Sequence, residues 1–312
     1  MLYRLIMYTV PTLDTLSTTL MLMKLRSLVA GAIDAAGKWS LAIPGQEGLK
    51  LYLVLKGEGW IVVGRQRHHL RAGDCFLITN SEPLVATSDL SVKKRLTIED
   101  AMKSSRDGVM VINGGGESFT VSVLFQFVGH LPKLIFRGLP PAIHIPADAD
   151  EAAGLRWNIE RFRAEFMRKS IGSGLVLNHL APIILIQAIR AHVATASSPP
   201  SWLSSITDPK LSKAMEAMHA DYGRSWSVED LAALSGMSRA SFAATFKKKL
   251  GVSPGEYLTS WRMQVACGLL RDDGKSIAAI AGDVGYESES AFSAAFNRLV
   301  GLRPGSFRRG GA

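Results

Sequence analysis

The pattern of hydrophobic and polar residues changes character once along the chain, close to Pro146. Before that point, short apolar runs alternate with glycine-containing turns, which is typical of closely spaced β-strands. The clearest runs predict strands at residues 49–55, 60–63, 75–78 and 119–129. Short strands at this spacing favour a small antiparallel barrel or sandwich. The polar segment at residues 93–116 predicts a surface excursion between two of the strands.

Helical spacing begins beyond this point. Leu155, Ile159, Phe162 and Phe166 form a single apolar stripe, so we expect a helix with one buried face. The run at residues 175–193 is apolar on more than one side and predicts a second helix. Such a helix must be buried against the barrel and against one further surface, for which a partner subunit is the expected candidate.

A small, polar, proline-containing segment, TASSPPS (residues 195–201), predicts a linker to a helical C-terminal region. Helix start signals are frequent in that region. Ser227 with Asp230 three residues later is a variant of the capping box. Ser253 is followed by a proline at the first helical position and by Glu256 at the third, which combines two start signals.

The stretch SVEDLAALSGMSRASFAATFKKKLG predicts two short helices, at residues 228–234 and 239–250, joined by a tight turn around Gly236. The apolar residues of the second helix recur at four-residue steps: Phe242, Phe246 and Leu250. They predict a buried face, and the remaining face carries small and basic residues. This is the length pattern of a helix-turn-helix, in which the second helix enters the DNA major groove.

The same element occurs a second time. SFAATFKKKLGVSPGEY and AFSAAFNRLVGLRPGSF lie 50 positions apart, beginning at Ser241 and Ala291. The second unit predicts helices at residues 277–283 and 289–300, with a turn at Gly285 that is one residue longer than the first. Its predicted core residues are Phe292, Phe296 and Val300. A duplicated motif is far stronger evidence for DNA binding than a single one.

A helix is predicted between the two units, from Pro254 to about Leu270. At 1.5 Å per residue it spans roughly 25 Å. Successive major-groove segments on one face of B-DNA lie about 34 Å apart. We therefore expect this helix to hold two recognition helices in successive segments of the groove.

Composition sets weaker limits. The formal net charge of +9 and the 47% share of apolar residues fit a chain with two cores and an acidic partner, but do not choose between nucleic acid and a membrane surface. Residues 207–312 hold 14 basic against 11 acidic residues, so the positive charge is not concentrated in the repeat. DNA binding is therefore indicated by geometry and by local clusters of residues, and not by net charge.

The two cysteines, Cys75 and Cys267, form neither a disulfide framework nor a zinc spacing, which favours a reducing cytoplasm. The apolar start of the chain is interrupted by Pro11, Asp14 and Lys24. These interruptions leave runs too short to cross a bilayer. We therefore expect neither a signal peptide nor a membrane anchor there.

The C-terminal region resembles the AraC/XylS family of transcription regulators in LAALSGMSRASFAATFKKKLGVSPGEYLTSWRMQVACGLL and IAAIAGDVGYESESAFSAAFNRLVGLRPGSFRR. The N-terminal part resembles the cupin sensor of one branch of that family, in GKWSLAI, LYLVLKGEGWIVV, LRAGDCFLI, PPAIHIP and WLSSITDPKLSKAMEAMH. The resemblance implies an α+β fold: an N-terminal cupin-like antiparallel β-barrel with dimerisation helices, and a C-terminal all-α double helix-turn-helix domain. It further implies a cytoplasmic homodimer that binds double-stranded DNA, senses a small-molecule effector and has RNA polymerase as a possible partner.

On this basis we divide the chain into an effector-binding and dimerisation domain (residues 24–194), a linker (195–206) and a DNA-binding domain (207–310). Trp39, Trp60 and His144 are the expected effector-lining residues because they fall on presumed barrel strands. The effector, the operator and the direction of regulation are not predicted.

Residues of the DNA-binding surface follow from the resemblance and from the exposed helix faces. The expected contacts are Arg239, Ala240, Ala243 and Lys247 in the first unit, and Glu289, Ser290, Ser293 and Asn297 in the second. Family members commonly carry a long polar side chain where this chain has Ala244 and Ala294, so base readout is expected to rest on fewer long side chains. Lys247, Lys248, Arg298, Arg303, Arg308 and Arg309 are the expected phosphate contacts or solvated charges.

Enzyme chemistry is not favoured, and no cofactor is expected. Metal-binding cupins place histidines at positions that we align with Leu51, Leu53 and, later, Leu84 of this chain. His68 and His69 are adjacent on a strand, so their side chains point to opposite faces. The other titratable candidates are His130 and His144, expected to be barrel histidines, and Glu58 and Asp74, expected to be solvated at turns.

Two alternatives remain open at this point. One is a cupin-type metal enzyme with an appended DNA module, which bound iron, zinc or manganese would indicate. The other is a constitutive architectural DNA-binding protein whose barrel only dimerises, which the absence of any stabilising ligand would favour.

Overall fold

The computed structural model of the protein describes residues 26–127, 139–149, 153–195, 208–271 and 274–310, together with Leu131 and Phe136. The described residues form two compact units. We call them the barrel unit (residues 26–126 and 139–195) and the helical unit (residues 208–310). The predicted linker, apart from Thr195, and the apolar N-terminal stretch lie outside the described residues.

The barrel unit is built from two sheets that enclose an apolar interior. Its strands are β1 (Arg26–Ala35), β2 (Ser40–Ile43), β3 (Leu49–Lys56), β4 (Glu58–Val63), β5 (Gln66–Arg71), β6 (Cys75–Ile78), β7 (Leu84–Thr87), β8 (Ser105–Arg106), β9 (Val109–Ile112), β10 (Ser118–Gln126) and β11 (Ala142–Ile145). One sheet has the order β11-β6-β3-β10-β1-β9-β8 and the other the order β2-β7-β4-β5. Among these described strands, only the β1–β9 pairing is parallel.

The predicted strands correspond to β3, β4, β6 and β10, although β10 ends at Gln126. Strand β1 was not predicted because RSLVAGAIDA is rich in alanine and glycine and lacks the β-branched texture of a strand. It forms because β10 lies beside it and supplies an antiparallel partner along its whole length. Tertiary pairing thus overrides a weak local preference.

The segment at residues 93–116 is not the purely surface excursion that the sequence predicts. It contains a capped helical turn, α1 (Ile98–Met102), followed by β8 and β9. Ala101, Met110 and Ile112 are buried in a cluster with Trp39 and Leu41. The sequence does not reveal these elements because their buried apolar side chains are widely spaced among polar residues.

Two helices complete the barrel unit, α2 (Ala153–Arg168) and α3 (Ser173–Thr195). Leu155, Ile159 and Phe162 of the predicted stripe are buried, which confirms the buried face of α2. Between the helices, the buried Asn158 amide donates a hydrogen bond to Gln187 Oε1 at 2.9 Å. This polar contact fixes the register of the pair.

Helix α3 is apolar enough to raise the question of a membrane. Among the described helices it alone is long and apolar enough to cross a bilayer. It packs, however, against α2, β1 and β11. Burial in the barrel unit therefore accounts for much of its apolar character.

The helical unit contains seven described helices: α4 (Pro209–Ala220), α5 (Val228–Leu234), α6 (Arg239–Leu250), α7 (Pro254–Arg271), α8 (Ile277–Asp283), α9 (Glu289–Val300) and α10 (Pro304–Arg308). The predicted boundaries of both helix pairs are confirmed. The predicted capping box at Ser227 and Asp230 is present, and Glu256 accepts hydrogen bonds from Ser253 at the start of α7.

Helix α7 is the central element of the helical unit. It is buried on nearly all sides, since its residues pack against both helix pairs. Its 18 residues span about 27 Å at 1.5 Å per residue. The helix is thus a rigid spacer between the two helix-turn-helix units.

Candidate nucleic-acid interface and barrel cavity

The two helix-turn-helix units have the same construction. α5 and α6 form the first, and α8 and α9 form the second. A serine hydroxyl accepts a backbone hydrogen bond at the start of α6 and of α9. Gly251 and Gly301 end these helices in the left-handed conformation. The turn of the second unit is one residue longer, as the sequence predicts.

Burial follows the same order along α6 and α9. Phe242, Phe246, Phe292 and Phe296 are fully buried, so each helix presents the opposite face to solvent. Only Val300 departs from the predicted core, because it is half-buried where Leu250 is buried.

The expected contact residues all lie on these outward faces. Six are exposed: Arg239, Ala240, Lys247, Glu289, Ser290 and Asn297. Ala243 and Ser293 are half-buried beside them. The structure thus brings the predicted residues of each unit onto one helix face.

Three consecutive lysines at the end of α6 differ in their surroundings. Lys247 and Lys248 are exposed. The Lys249 ammonium contacts the Asp208 carboxylate at 2.6 Å and is held against the start of α4. Only the first two lysines are therefore free to meet a phosphate backbone.

An ion pair crosses the first unit at the surface. The Arg239 guanidinium lies 2.9 Å from the carboxylate of Glu229, which is in the first turn of α5. Both side chains are largely exposed, so the pair is weak and salt-sensitive. Glu229 therefore orients Arg239 without immobilising it.

The second unit borders an open groove. The groove is lined by Ser293 and Asn297 of α9 and by Arg303 and Arg309 near α10. Arg308, in contrast, donates a hydrogen bond to the carbonyl oxygen of Lys275 at 2.7 Å and is half-buried. Of the predicted basic contacts in this region, Arg298, Arg303 and Arg309 are exposed, whereas Arg308 has a structural role.

Arg262 of α7 binds backbone carbonyl oxygens in two separate loops of the helical unit. Its guanidinium donates hydrogen bonds to the carbonyl oxygens of Tyr222 at 2.7 Å and of Arg224 at 2.9 Å. Longer bonds, of 3.4 Å, reach the carbonyl oxygens of Gly223 and Gly285. One side chain thus ties the loop after α4 to the turn of the second helix-turn-helix.

The packing at Gly285 depends on the absence of a side chain. Its φ is +79°, and a Cβ built there would lie 2.4 Å from the carbonyl oxygen of Gly223. Gly236, its counterpart in the first unit, has φ +62° but open space around it. The second turn is therefore held against the loop at residues 221–224, and the first is not.

His219 is a half-buried polar residue that packs against the core of the helical unit. Its ring stacks on Trp261 with centroids 3.3 Å apart, and a ring nitrogen lies 2.8 Å from the Tyr257 hydroxyl. Burial lowers the pKa of His219 to about 3. The imidazole is therefore neutral in the folded protein at neutral pH.

A cavity opens into the interior of the barrel unit. Trp39 and Trp60, two of the three expected effector-lining residues, border it. The ring of Trp60, however, stacks on His69 on the outer face of β4 and β5. The enclosed space is about 30 Å³, which is the room of one or two water molecules.

His144, the third expected residue, lies apart from this cavity. It occupies β11, with its Nε2 atom 2.9 Å from a carboxylate oxygen of Asp74. The backbone amides of Arg71 and Ala147 donate to the same carboxylate. Burial by itself would raise the pKa of Asp74, but these hydrogen bonds outweigh it and lower the pKa.

The prediction that Glu58 and Asp74 are both solvated at turns is therefore wrong for Asp74. Asp74 is buried, with 5% of its surface exposed, whereas Glu58 is solvated. The turn places Asp74 where two backbone amides and His144 converge, and this satisfies a charge that the interior would otherwise exclude.

The register of β3 also differs from the one expected for metal ligands. Tyr52 and Val54 pack with Ile61 and Leu70 between the two sheets. Because side chains alternate along a strand, Leu51 and Leu53 point away from the interior. Within the described residues, no group of three or more His, Cys, Asp or Glu side chains could hold a metal ion.

Sequence patterns do not reveal three residues that matter most here: Arg262, His219 and Tyr52. Each lies in an element whose existence is predictable, but its partners come from elements distant in the chain. The available signal is a charged or aromatic residue within an otherwise apolar helix face or strand.

Comparisons with known proteins find one family match in each part of the chain. Residues 14–194 match the family described as Cupin, and residues 231–310 match the family described as Helix-turn-helix domain. An AraC-like transcription regulator of Streptomyces antibioticus is 33% identical to this chain, over 95% of this chain and 99% of that protein. The HTH-type transcriptional regulator AlkR of Acinetobacter baylyi is 29% identical over 89% and 93% of the two chains.

A solved structure of a transcriptional regulator with an AraC-type DNA-binding domain, from Chromobacterium violaceum, is 31% identical. It covers 34% of this chain and 95% of that chain, with a TM-score of 0.33.

Proposed function

The chain belongs to the AraC family of transcription regulators, and from that premise we propose that α6 and α9 bind successive major-groove segments of one operator while the barrel unit senses an effector. The observation that carries the DNA part is the matched outward face of the two helices on either side of α7. A recognition helix needs this arrangement, with its aromatic residues in the core and its small and polar residues outward.

The two helix-turn-helix units make different contacts with DNA. In the first, Arg239 is the one long side chain at the N-terminal end of α6, where base contacts are made. Lys247 lies two turns further along, where a phosphate contact fits better than a base contact. In the second unit, Glu289 can accept a hydrogen bond from cytosine N4, and Asn297 can pair with adenine.

We predict different consequences for Arg239→Ala and Lys247→Ala. The first removes a bidentate base contact and should cost about 1–3 kcal/mol at one operator position, with relaxed preference there. The second removes a phosphate contact, so it should weaken all sequences alike and lower the salt slope by about one. Binding titrations at several salt concentrations, on operator variants, measure both effects.

Lys249→Ala is the matched control, because Lys249 is held by Asp208. Its salt slope should equal that of the unmodified chain. If neither Arg239→Ala nor Lys247→Ala changed sequence preference or salt slope, the assignment of the outward face would be wrong.

Homodimerisation is proposed through α3. Leu175, His179, Ile183 and Arg190 follow one another along its uncovered face, and Trp157 of α2 is also exposed. This stripe combines two exposed apolar side chains, Leu175 and Ile183, with two polar ones on a helix whose other side is buried, and such a mixed surface is typical of a subunit interface. A second copy of the chain would cover it.

Ile183→Glu tests this interface. A charge in the middle of the stripe should convert the dimer to a monomer, because an unpaired buried carboxylate opposes association. Sedimentation equilibrium of the full chain measures the change. Met102→Glu places the same charge on another exposed apolar residue of the barrel unit and should leave the dimer intact. A dimer that survives Ile183→Glu unchanged would exclude α3 as the interface.

The remaining assignments follow from the relatives, which are transcription regulators. We propose a cytoplasmic protein without enzymatic activity, with RNA polymerase as a further partner at promoters. The domain limits of 24–194, 195–206 and 207–310 are part of this proposal. The metal-enzyme and architectural alternatives are disfavoured by this kinship, and metal analysis and ligand screening test them respectively.

A further inference from the structure

The walls of the barrel cavity can be divided by the direction in which their side chains point. Tyr52 and Val54 of β3, Ile61 of β4 and Leu70 of β5 belong to the cluster between the sheets. On β10, Phe119 contacts Phe166 of α2 on the outside of the barrel. Strand alternation therefore turns its neighbours Ser118 and Thr120 inward, where they border the cavity.

Tyr52 is the central polar group of the cavity. Its side chain is almost completely buried, with 3% exposed, and it borders the cavity. The Tyr52 hydroxyl oxygen is not among the fully enclosed side-chain atoms that lack a partner, and no described residue forms a hydrogen bond with it. The hydroxyl therefore reaches the open space of the cavity, where a ligand can bind it. Burial raises the pKa of Tyr52, which keeps the hydroxyl protonated and uncharged.

Two further polar groups at the cavity also lack a hydrogen bond to a described residue. The Thr120 hydroxyl and the Trp39 indole N–H both belong to residues that border the cavity. Neither forms a hydrogen bond with any other described residue. By contrast, the Ser118 hydroxyl donates to the carbonyl oxygen of Ala35. The cavity thus offers three uncharged hydrogen-bonding groups among apolar walls.

No charge faces the cavity from its described walls. Glu58 is the one charged residue among the described residues that border it. Because Ile61 points inward, Glu58 lies with Trp60 on the outer face of β4. There its carboxylate is 3.4 Å from His69 and 3.9 Å from Arg71. An ionised ligand would find no counter-ion inside and would lose its hydration.

We propose that the cavity binds a small uncharged organic molecule, with an apolar body and a single alcohol, phenol or carbonyl oxygen that hydrogen-bonds to Tyr52. Carboxylates, phosphates, ammonium compounds and polyhydroxylated sugars are excluded by the same walls. The inference rests on the proposed sensing function and specifies the class of effector.

Binding requires a movement of the wall. The enclosed space of about 30 Å³ holds water but not an organic molecule. Trp39 is the largest inward side chain at the edge of the cavity, and it follows the short connection from β1 to β2. Displacement of its ring enlarges the cavity and disturbs the cluster that it forms with Ala101 and Met110.

A matched set of seven-carbon probes tests the proposal by isothermal titration of the full-length chain at pH 7.5. Benzyl alcohol is uncharged and carries one oxygen, toluene has none, benzoate is an anion and benzylammonium a cation. We expect one benzyl alcohol per chain, bound at least tenfold more tightly than either ion and three- to tenfold more tightly than toluene. A slimmer series of 1-butanol, butyrate and butylammonium should give the same order.

The Tyr52→Phe variant measures the contribution of the hydroxyl to affinity separately from that of the ring. We expect its affinity for benzyl alcohol to fall three- to tenfold, towards that of toluene, while its affinity for toluene is unchanged. Its melting temperature without probe should stay the same or rise, because the hydroxyl holds no protein partner. Tyr222→Phe, in the helical unit, is the matched control and should change neither affinity.

The outcomes are distinguishable. Tighter binding of benzoate or benzylammonium, an unaffected Tyr52→Phe variant, or no binding by any probe would overturn the proposed ligand class. If benzyl alcohol binds as expected but leaves operator affinity unchanged, the cavity assignment stands and the sensing function fails. If the chain without any probe did not bind operator DNA, only the DNA-binding proposal would be contradicted.

Discussion

Replacement of Arg262 by methionine is expected to lower operator affinity at least tenfold and the free energy of unfolding of the helical unit by about 3 kcal/mol. Methionine retains much of the aliphatic stem but removes a charged group that donates to four backbone carbonyls. Hydrogen bonds from charged donors are worth about 1.5–3 kcal/mol each, and some carbonyls will find water instead. The loop at residues 221–224 and the turn at Gly285 then lose their common anchor.

The loss of affinity follows from geometry. The position of α9 relative to α7 depends on the turn that Arg262 holds, so the free chain must reorder this turn before both units can bind. Fluorescence anisotropy with operator DNA and urea unfolding of the full chain measure the two effects. Arg271→Met, on the same helix but exposed, is the control and should cost much less. Unchanged affinity and stability in Arg262→Met would show that the anchor is dispensable.

The second large effect is a loss of stability in mild acid, caused by His219. The unfolded chain has an ordinary histidine pKa near 6.5, whereas burial lowers the folded value to about 3. Between these values the unfolded chain binds a proton that the folded chain does not bind. Stability is therefore complete above pH 6.5 and falls as the pH is lowered, by about 2 kcal/mol at pH 5.

Urea unfolding of the helical unit between pH 5 and pH 8 measures this slope. His219→Phe keeps an aromatic ring on Trp261 but cannot titrate, so its stability should be nearly independent of pH in this range. Burial also lowers the pKa of His68 and His192, but both belong to the barrel unit. An equal slope in the His219→Phe variant would assign the acid sensitivity to other groups.

Local signals explain why the helical unit was predictable. Caps at Ser227 and Ser253, a left-handed glycine at the end of each recognition helix, and phenylalanines at four-residue steps all act within a few residues of one another. Each signal has a local physical cause, so a single sequence suffices to place helices 228–234, 239–250, 277–283 and 289–300.

Non-local contacts explain what the sequence leaves out. Strand β1 depends on its pairing with β10, some 90 residues away, and β9 forms beside it although its segment is polar. Asp74 is buried because His144 and Ala147 reach it from the other end of the barrel unit. No periodicity within a short window records such partners.

The same contrast between local and non-local signals applies to the two candidate sites. The outward faces of α6 and α9 follow from helix periodicity alone, so their residues could be named in advance. To predict which side chains point into the barrel, the register of β3 must be known. A shift of one residue exchanges Leu51 and Leu53 for Tyr52 and Val54. Arg262 acts through carbonyl oxygens, which carry no residue identity.

The difference between the two copies of the repeat has a structural counterpart. In the first copy, Lys247 and Lys248 are exposed near the end of α6 while Lys249 is tied to Asp208. In the second, polar and acidic residues line α9 beside Arg303 and Arg309. Arg298 of α9 is exposed as well, so both units offer at least two free basic side chains to a phosphate backbone.

Selection of bound fragments from a random DNA pool by the full-length chain tests the central claim, that both units bind one operator. We expect enriched sequences with two conserved segments whose centres lie about 10 base pairs apart, one helical turn. We also expect a fixed spacing, because α7 is a rigid helix. Enrichment of a single segment, or of two segments at variable spacing, would show that the two helix-turn-helix units do not bind one operator together.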